Sequence, residues 1–287
     1  MRRSVSWNAT LKPKVFKTKN VLEYIVTISR IADKLRQSVA FVRHSKTPLP
    51  LILDSFRLKR GKFVAVSEDG LEVELLSQDG ESFTFYEMLI RRDYLRHGIQ
   101  LGPGDTVIDI GANVGLFAIL AARIVGPQGK VFACEPASAT FARLERNIKL
   151  NNFGNVTAIN AAIGGANGEA QLCLGDRSAY AALRQESGDP ESNPGAAAIE
   201  TVRVRTLASV IEEFGLDRVK LLKLDCEGAE YDIFGGLAPE IARKIDQISM
   251  EVHNIPGHSI TEIPQMLDRL GFATLESYPM VAFRRDR

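Results

Sequence analysis

Thr106-Val-Ile-Asp-Ile-Gly-Ala-Asn-Val-Gly-Leu-Phe117 opens with a short apolar, β-branched run and ends in Asp109, Gly111 and Gly115. Leu116, Phe117, Ile119 and Leu120 then recur at helical spacing, so the stretch reads as a buried strand turning sharply into a helix. In open α/β sheets ligands bind where such a strand ends, and glycine there lets backbone approach a ligand that a Cβ would hold away.

Outward from this turn the pattern alternates. Strands are predicted at Thr106 to Ile110, Lys130 to Cys134, Val156 to Asn160, Val219 to Asp225 and Gln247 to His253. Helices are predicted at about 114 to 125, 137 to 151, 227 to 237 and 260 to 270. Alternation of this kind is the signature of parallel βαβ units, an α/β fold. Ala170 to Leu174 and Glu200 to Val204 read as strands outside that series, and Phe272 to Leu275 with Val281 to Arg284 as a closing antiparallel hairpin. Residues 175 to 198, rich in Gly, Ser, Pro and Asn, read as a mobile loop and candidate lid.

Three segments follow: a basic arm with an amphipathic helix at 1–48, a small strand and helix cap at 49–100, and the ligand-binding domain at 101–287. The net charge of +1 hides an asymmetry, because residues 1–48 hold 11 Lys or Arg against Glu23 and Asp33, and the rest is acidic. Leu22, Ile25, Ile28, Ile31, Leu35, Val39 and Val42 recur every three or four positions, giving an apolar stripe expected to dock on the main domain or on a second subunit. A membrane-surface helix is the alternative reading. In the cap, Phe63 to Val66 and Leu71 to Leu76 read as a hairpin and Phe83 to His97 as one helix carrying Tyr86, Leu89 and Tyr94. Cys134, Cys173 and Cys226 form no CxxC pair, no apolar run reaches membrane length, and no signal-peptide pattern is seen, so a soluble cytoplasmic protein is expected.

At the turn itself the glycines read G-x-N-x-G, with an acid two residues before the first. Dinucleotide sites prefer G-x-G-x-x-G with a pyrophosphate on the helix terminus, which an acidic Asp109 would repel. Asp109 would attract an ammonium group instead, and the ligand that fits is S-adenosylmethionine, with Gly111, Asn113 and Gly115 around it. Glu135 ends the second strand 20 residues beyond Gly115, where its carboxylate can accept both ribose hydroxyls. In Asn160-Ala-Ala-Ile163, Asn160 offers an amide for an adenine edge and Ala161 leaves room for its ring; a turn role is the simpler reading of Asn160.

These residues carry a resemblance. Asp105 to Phe117, Glu135-Pro136, Asn147 and Leu222-Lys-Leu-Asp-Cys-Glu-Gly-Ala-Glu230 are similar to the FkbM family of class I methyltransferases, over about Phe83 to Phe283. The resemblance implies a Rossmann-like, seven-stranded, mostly parallel sheet, S-adenosylmethionine as donor, and transfer to an oxygen of a sugar or polyketide-like small molecule. Asp109, Gly111, Asn113, Gly115 and Glu135 match the family's cofactor motif, while the basic arm lies outside it.

Across the crevice stand Lys223, Asp225, Glu227 and Glu230, with Glu251 and His253 ending the next strand. An alcohol is a poor nucleophile near neutral pH, so His253 is expected as general base and Asp225 as the group that positions the hydroxyl. Asp225, Glu251 and His253 could instead hold a divalent metal, although their spacing matches no recognised metal motif. Glu227 and Glu230 read as helix-end charges, and Lys223 as the partner of a buried carboxylate. An RNA or other macromolecule methyltransferase using the basic N-terminal arm is the alternative enzyme reading; against it, there is no Asn/Asp-Pro-Pro-Tyr motif, no Pro-Cys nucleophile, and no aromatic interleaving in the basic arm. A non-catalytic scaffold assembling through the N-terminal helix is the reading from another class, and it predicts no cofactor binding.

Overall fold

The computed structural model describes residues 18–174, 181–183 and 198–286. After α1 (Thr18–His44) and α2 (Pro48–Ser55), an antiparallel hairpin forms from β1 (Lys62–Val66) and β2 (Glu72–Leu76). The expected single helix of the cap is broken into three pieces: α3 (Glu81–Phe85), a π-helical turn at Tyr86–Arg91 and a 3-10 turn at Asp93–Leu95. Arg92, at φ 54°, is the break, since a left-handed residue cannot continue a right-handed helix.

The main sheet is built from β3 (Thr106–Ile110), β4 (Lys130–Cys134), β5 (Val156–Ile159), β10 (Val219–Leu224), β11 (Ile245–Met250), β12 (Phe272–Leu275) and β13 (Met280–Arg284). Its order is β12-β13-β11-β10-β3-β4-β5, parallel from β11 to β5, with β13 antiparallel to both neighbours. This is the Rossmann-like, class I methyltransferase arrangement with its C-terminal hairpin. The chain runs outward from β3 through β4 to β5, then returns to place β10 on the other side of β3. The crevice between those two strand ends is the topological switch point where ligands bind in open α/β sheets.

Side chains alternate across the sheet. Val107 and Leu221 face a core shared with Phe41, Leu51, Leu75 and Phe85 of the N-terminal segments, so the cap and the sheet share one apolar cluster. Ile108, Ile110, Leu222 and Leu224 face the opposite core with Leu207, Tyr231 and Ile263. Burial on both faces explains why these strands read as continuous apolar runs.

Helices α4 (Leu116–Val125) and α5 (Ser138–Leu150) lie near their expected places, as does α9 (Glu262–Arg269). By contrast α7 spans only Glu230–Gly235, because Glu227 and Gly228 adopt positive φ and delay the helix; the expected N-terminal helix role of Glu227 is corrected. Two short helices, α6 (Leu207–Glu213) and α8 (Pro239–Ala242), were not anticipated. A second sheet, ordered β6-β9-β7-β8, joins β6 (Ala162–Gly164), β7 (Gly168–Leu174), β8 (Ala181–Leu183) and β9 (Ala198–Thr206). Apart from β8 and residue 198, the candidate lid at 175–198 lies outside the described residues.

The apolar stripe of α1 behaves unlike its expectation. Ile28, Ile31, Leu35, Val39 and Val42 are each at least 50% exposed, while Phe41 on another face enters the core. Docking of that stripe on the main domain is corrected for the described residues. No described helix is long and apolar enough to cross a membrane.

Candidate active site

A cavity of about 580 Å³ opens at the switch point. Gly111, Asn113, Glu135, Pro136 and Ala161 line it from the β3 to β5 side; Asp225, Glu227, Glu251 and His253 line it from the β10 and β11 side. Both halves expected from the sequence therefore meet in one space.

The turn after β3 works differently from its first reading. Gly111 has φ +71°, and a Cβ there would lie 1.8 Å from the Asp225 carbonyl oxygen. At Gly115, φ +91°, a Cβ would lie 2.5 Å from Leu144 Cδ1. The glycines are required by the neighbouring strand end and by α5, rather than only by a ligand. Asn113 also adopts a positive φ, 50°, and its Oδ1 is buried with no hydrogen-bond partner among the described residues.

Asp109 is corrected. It is fully buried and not part of the cavity wall, and its Oδ1 lies 3.0 Å from Lys223 Nζ. The register explains this, since Asp109 and Lys223 are direct neighbours on β3 and β10 and project to the same face. The ammonium that Asp109 attracts is thus the chain's own. Lys223 also donates to the Gly111 carbonyl at 2.9 Å and lies 4.0 Å from Asp225 Oδ2, tying the turn to the far side of the crevice. Burial opposes its charge, but Asp109 and Asp225 outweigh that and hold the ammonium above the ordinary lysine range.

Glu135 is 6% exposed and accepts the Asn113 N–H at 3.0 Å and the Ala137 N–H at 2.9 Å. Burial pushes its carboxyl up to about 7, with those two amides working against the rise. Asn160 is not part of the cavity lining, and its amide donates to the carbonyls of Glu135 and Pro136 at 2.9 and 3.0 Å. Its expected adenine contact is corrected to a structural role behind Glu135, while Ala161 and Ile163 do line the cavity. S-adenosylmethionine fits this half: Asn113 Oδ1 is a buried acceptor still lacking a donor, and Glu135 presents a fixed carboxylate at the end of β4.

On the other side, His253 Nδ1 lies 2.9 Å from Glu230 Oε1, and Glu230 is completely buried. Its Nε2 faces Glu227 Oε2 at 3.5 Å and Asp225 Oδ1 at 4.0 Å. Tyr231 of α7 donates to the His253 carbonyl at 3.0 Å, so one short helix fixes both ring and backbone. Burial opposes a charged ring, yet the Glu230 hydrogen bond and the surrounding carboxylates raise His253 to about 9. The same carboxylates that hold the ring at the cavity wall therefore favour its protonated form. Glu227 is pushed up to about 7 by burial, against the pull of His253, and the Cys226 thiol well above its usual range by burial and by Glu230 and Asp225.

Several residues of this wall were not singled out as site residues. Glu87 and Met88 reach the cavity from the π-helical turn, Asp93 and Tyr94 from the 3-10 turn, and Tyr278 from the hairpin, donating to Glu251 Oε1 at 2.9 Å. Tyr94 also packs edge-on against Phe117, whereas Tyr86 packs against Phe41. Glu227 and Glu230 had a signal in Asp225-Cys-Glu-Gly-Ala-Glu230. Glu87, Met88, Asp93 and Tyr94 are placed by breaks in helical period, and Tyr278 by the link between β12 and β13.

The family model described as the methyltransferase FkbM domain matches residues 109–273, more than half of the chain. The 31-O-demethyl-FK506 methyltransferase FkbM of Streptomyces tacrolimicus is 29% identical over 255 residues, spanning 80% of this chain and 94% of that protein. Methyltransferase 1 of Beauveria bassiana is 31% identical over 191 residues, spanning 62% of this chain and 76% of its own. Among solved structures, the methyltransferase FkbM from Methylobacillus flagellatus KT is 14% identical with a TM-score of 0.45, covering 90% of this chain and 60% of that one. The chain belongs to the FkbM family of S-adenosylmethionine-dependent methyltransferases.

Proposed function

We propose that the chain methylates a hydroxyl oxygen of a small natural product, of sugar or polyketide-like type. The observation that carries this reading is the placement of Asp225 and His253 at the ends of β10 and β11, in the same cavity as Gly111, Asn113 and Glu135. S-adenosylmethionine supplies an electrophilic methyl on a sulfonium when bound. Asn113, Glu135 and Ala161 hold it on one side; Asp225 and His253 orient the acceptor oxygen on the other. With an acceptor hydroxyl held there, its proton would pass to the carboxylate-rich wall of Asp225, Glu227 and Glu251. The relative from Streptomyces tacrolimicus supports oxygen as the acceptor atom, since its name specifies a 31-O-demethyl substrate.

His253→Ala and Asp225→Ala test the assignment. Each is expected to bind S-adenosylhomocysteine in calorimetry with wild-type affinity while turnover falls roughly 100-fold or more, the cost of a misplaced acceptor. Near-normal turnover in His253→Ala overturns the role. No cofactor binding by the wild-type chain would favour a scaffold instead.

A further inference from the structure

Helix α1 carries its polar and apolar sides in the reverse of the usual order. Lys34, Gln37 and Phe41 are on the side that meets the rest of the chain. The Lys34 ammonium lies 5.4 Å from the centre of the Phe56 ring, and the fully buried Phe41 packs against Phe85 and Tyr86 at 6.4 and 6.1 Å between ring centres. The outward side carries Ile28, Ile31, Leu35, Val39 and Val42, each 50 to 63% exposed. At about 100° per residue these five fall within an arc of about 80°, centred about 130° round the helix from Lys34, Gln37 and Phe41. An aliphatic row of this length, on a helix that is already anchored by its other side, marks an interaction surface.

The spacing identifies the occupant. Ile25, Ile28, Ala32, Leu35, Val39 and Val42 follow one another in alternating steps of three and four along the sequence. That is the seven-residue repeat of a coiled-coil seam, with Ala32 and Val39 at a and Ile28, Leu35 and Val42 at d. A helix facing a globular core needs an apolar stripe wider than about 100°, and the narrower stripe is the mark of a seam made with one other helix. Membrane-surface helices set Trp, Phe and Leu against a basic face. None of the five exposed residues is aromatic, and on the polar side Arg36 is tied to Asp33 at 3.2 Å.

A second copy of the chain supplies the same seam. In a parallel pair Arg36 and Arg43, at e, lie beside the second copy's Ile31 and Ser38, at g, so no like charges are opposed; an antiparallel pair sets one arginine edge against the other. Five aliphatic side chains with at least half their surface free offer on the order of 100 Å² each, so two copies cover about 1,000 Å², the size at which an interface becomes specific. We propose that α1 pairs in parallel with α1 of a second copy about a two-fold axis along this seam, with the two domains flanking the helix pair. Phe41 of the same helix backs Phe85 and Tyr86, immediately before Glu87 and Met88 of the cavity wall, so the dimer braces the acceptor side of each cavity.

Sedimentation equilibrium of the full-length protein at micromolar concentration is expected to give twice the chain mass. Leu35→Glu sets two carboxylates face to face in the seam, and is expected to weaken association more than about 100-fold. Its S-adenosylhomocysteine affinity, which reports folding independently, is expected to stay at the wild-type value. Leu35→Cys is expected to give a disulfide-linked dimer on mild oxidation, because equivalent d residues of a parallel pair are direct neighbours, whereas Gln37→Cys on the other side is expected to give none. Monomeric wild-type protein, dimeric Leu35→Glu, or a dimer in which Leu35→Cys fails to cross-link overturns the proposal. Wild-type monomers that sediment with phosphatidylserine vesicles, and lose that binding in Leu35→Glu, overturn it in favour of a membrane surface.

Discussion

Lys223→Met removes the cation that links the two halves of the site. Lys223 and Asp109 have side-chain exposures of 3% and 0%, and their charged atoms lie 3.0 Å apart. At an effective dielectric constant of about 20, two charges at that distance attract by about 5 kcal/mol before desolvation. Removing one partner of such a pair leaves the other charge buried, a loss of about 3 to 5 kcal/mol. Urea unfolding at neutral pH is expected to show that loss for Lys223→Met, with an unchanged slope. Lys223→Met combined with Asp109→Asn removes the stranded carboxylate, so the double variant is expected to be more stable than Lys223→Met alone. Its S-adenosylhomocysteine affinity is expected to fall less than that of an Asn113 variant, because Asp109 stands behind the cofactor turn. A loss below about 1 kcal/mol, or strictly additive single effects, refutes the buried-pair account.

Glu135 gives a pH signature. Burial holds its carboxyl at about 7, above the ordinary 4.5, so the free chain loses stability as pH rises from 4.5 through 7. Ribose hydroxyls are best accepted by the ionised form, so S-adenosylhomocysteine affinity is expected to rise across the same window and level off above it; Glu135→Gln should flatten both profiles in calorimetry and thermal unfolding. Gly111→Ala places a Cβ 1.8 Å from the Asp225 carbonyl, and is expected to give insoluble protein or protein without cofactor binding. Asn113→Gly keeps the left-handed backbone but removes Oδ1, so its S-adenosylhomocysteine affinity is expected to drop about 10-fold with stability near wild type, measured by calorimetry and urea unfolding.

The strands around the turn were legible because a parallel sheet buried on both faces leaves long apolar runs, and the residues at its strand ends must share a crevice. That is why Gly111, Glu135, Asp225 and His253 could be placed in one site before any coordinates. What the sequence concealed was register and backbone sign. Nothing in Lys223 names Asp109 until β10 and β3 are aligned, and the acidic turn residue then proves to serve the chain's own lysine. Arg92 at φ 54° ends a periodic pattern where no glycine or proline marks it, and Glu227 at φ 52° with Gly228 delays the start of α7; Glu227, Glu87 and Asp93 all line the cavity. Glu230 was readable as a helix-end charge, yet its carboxylate is turned to His253, a partner 23 residues away.

The most direct measurement is the position of a transferred label. Wild-type protein and His253→Ala are incubated with S-adenosylmethionine carrying a carbon-13 methyl group and a panel of hydroxylated sugars and polyketides, and the products are resolved by carbon–proton correlation. The account predicts a labelled methyl on oxygen from the wild type, and from His253→Ala intact cofactor binding with almost no label transferred. Label on nitrogen or carbon, or equal transfer by the variant, contradicts it.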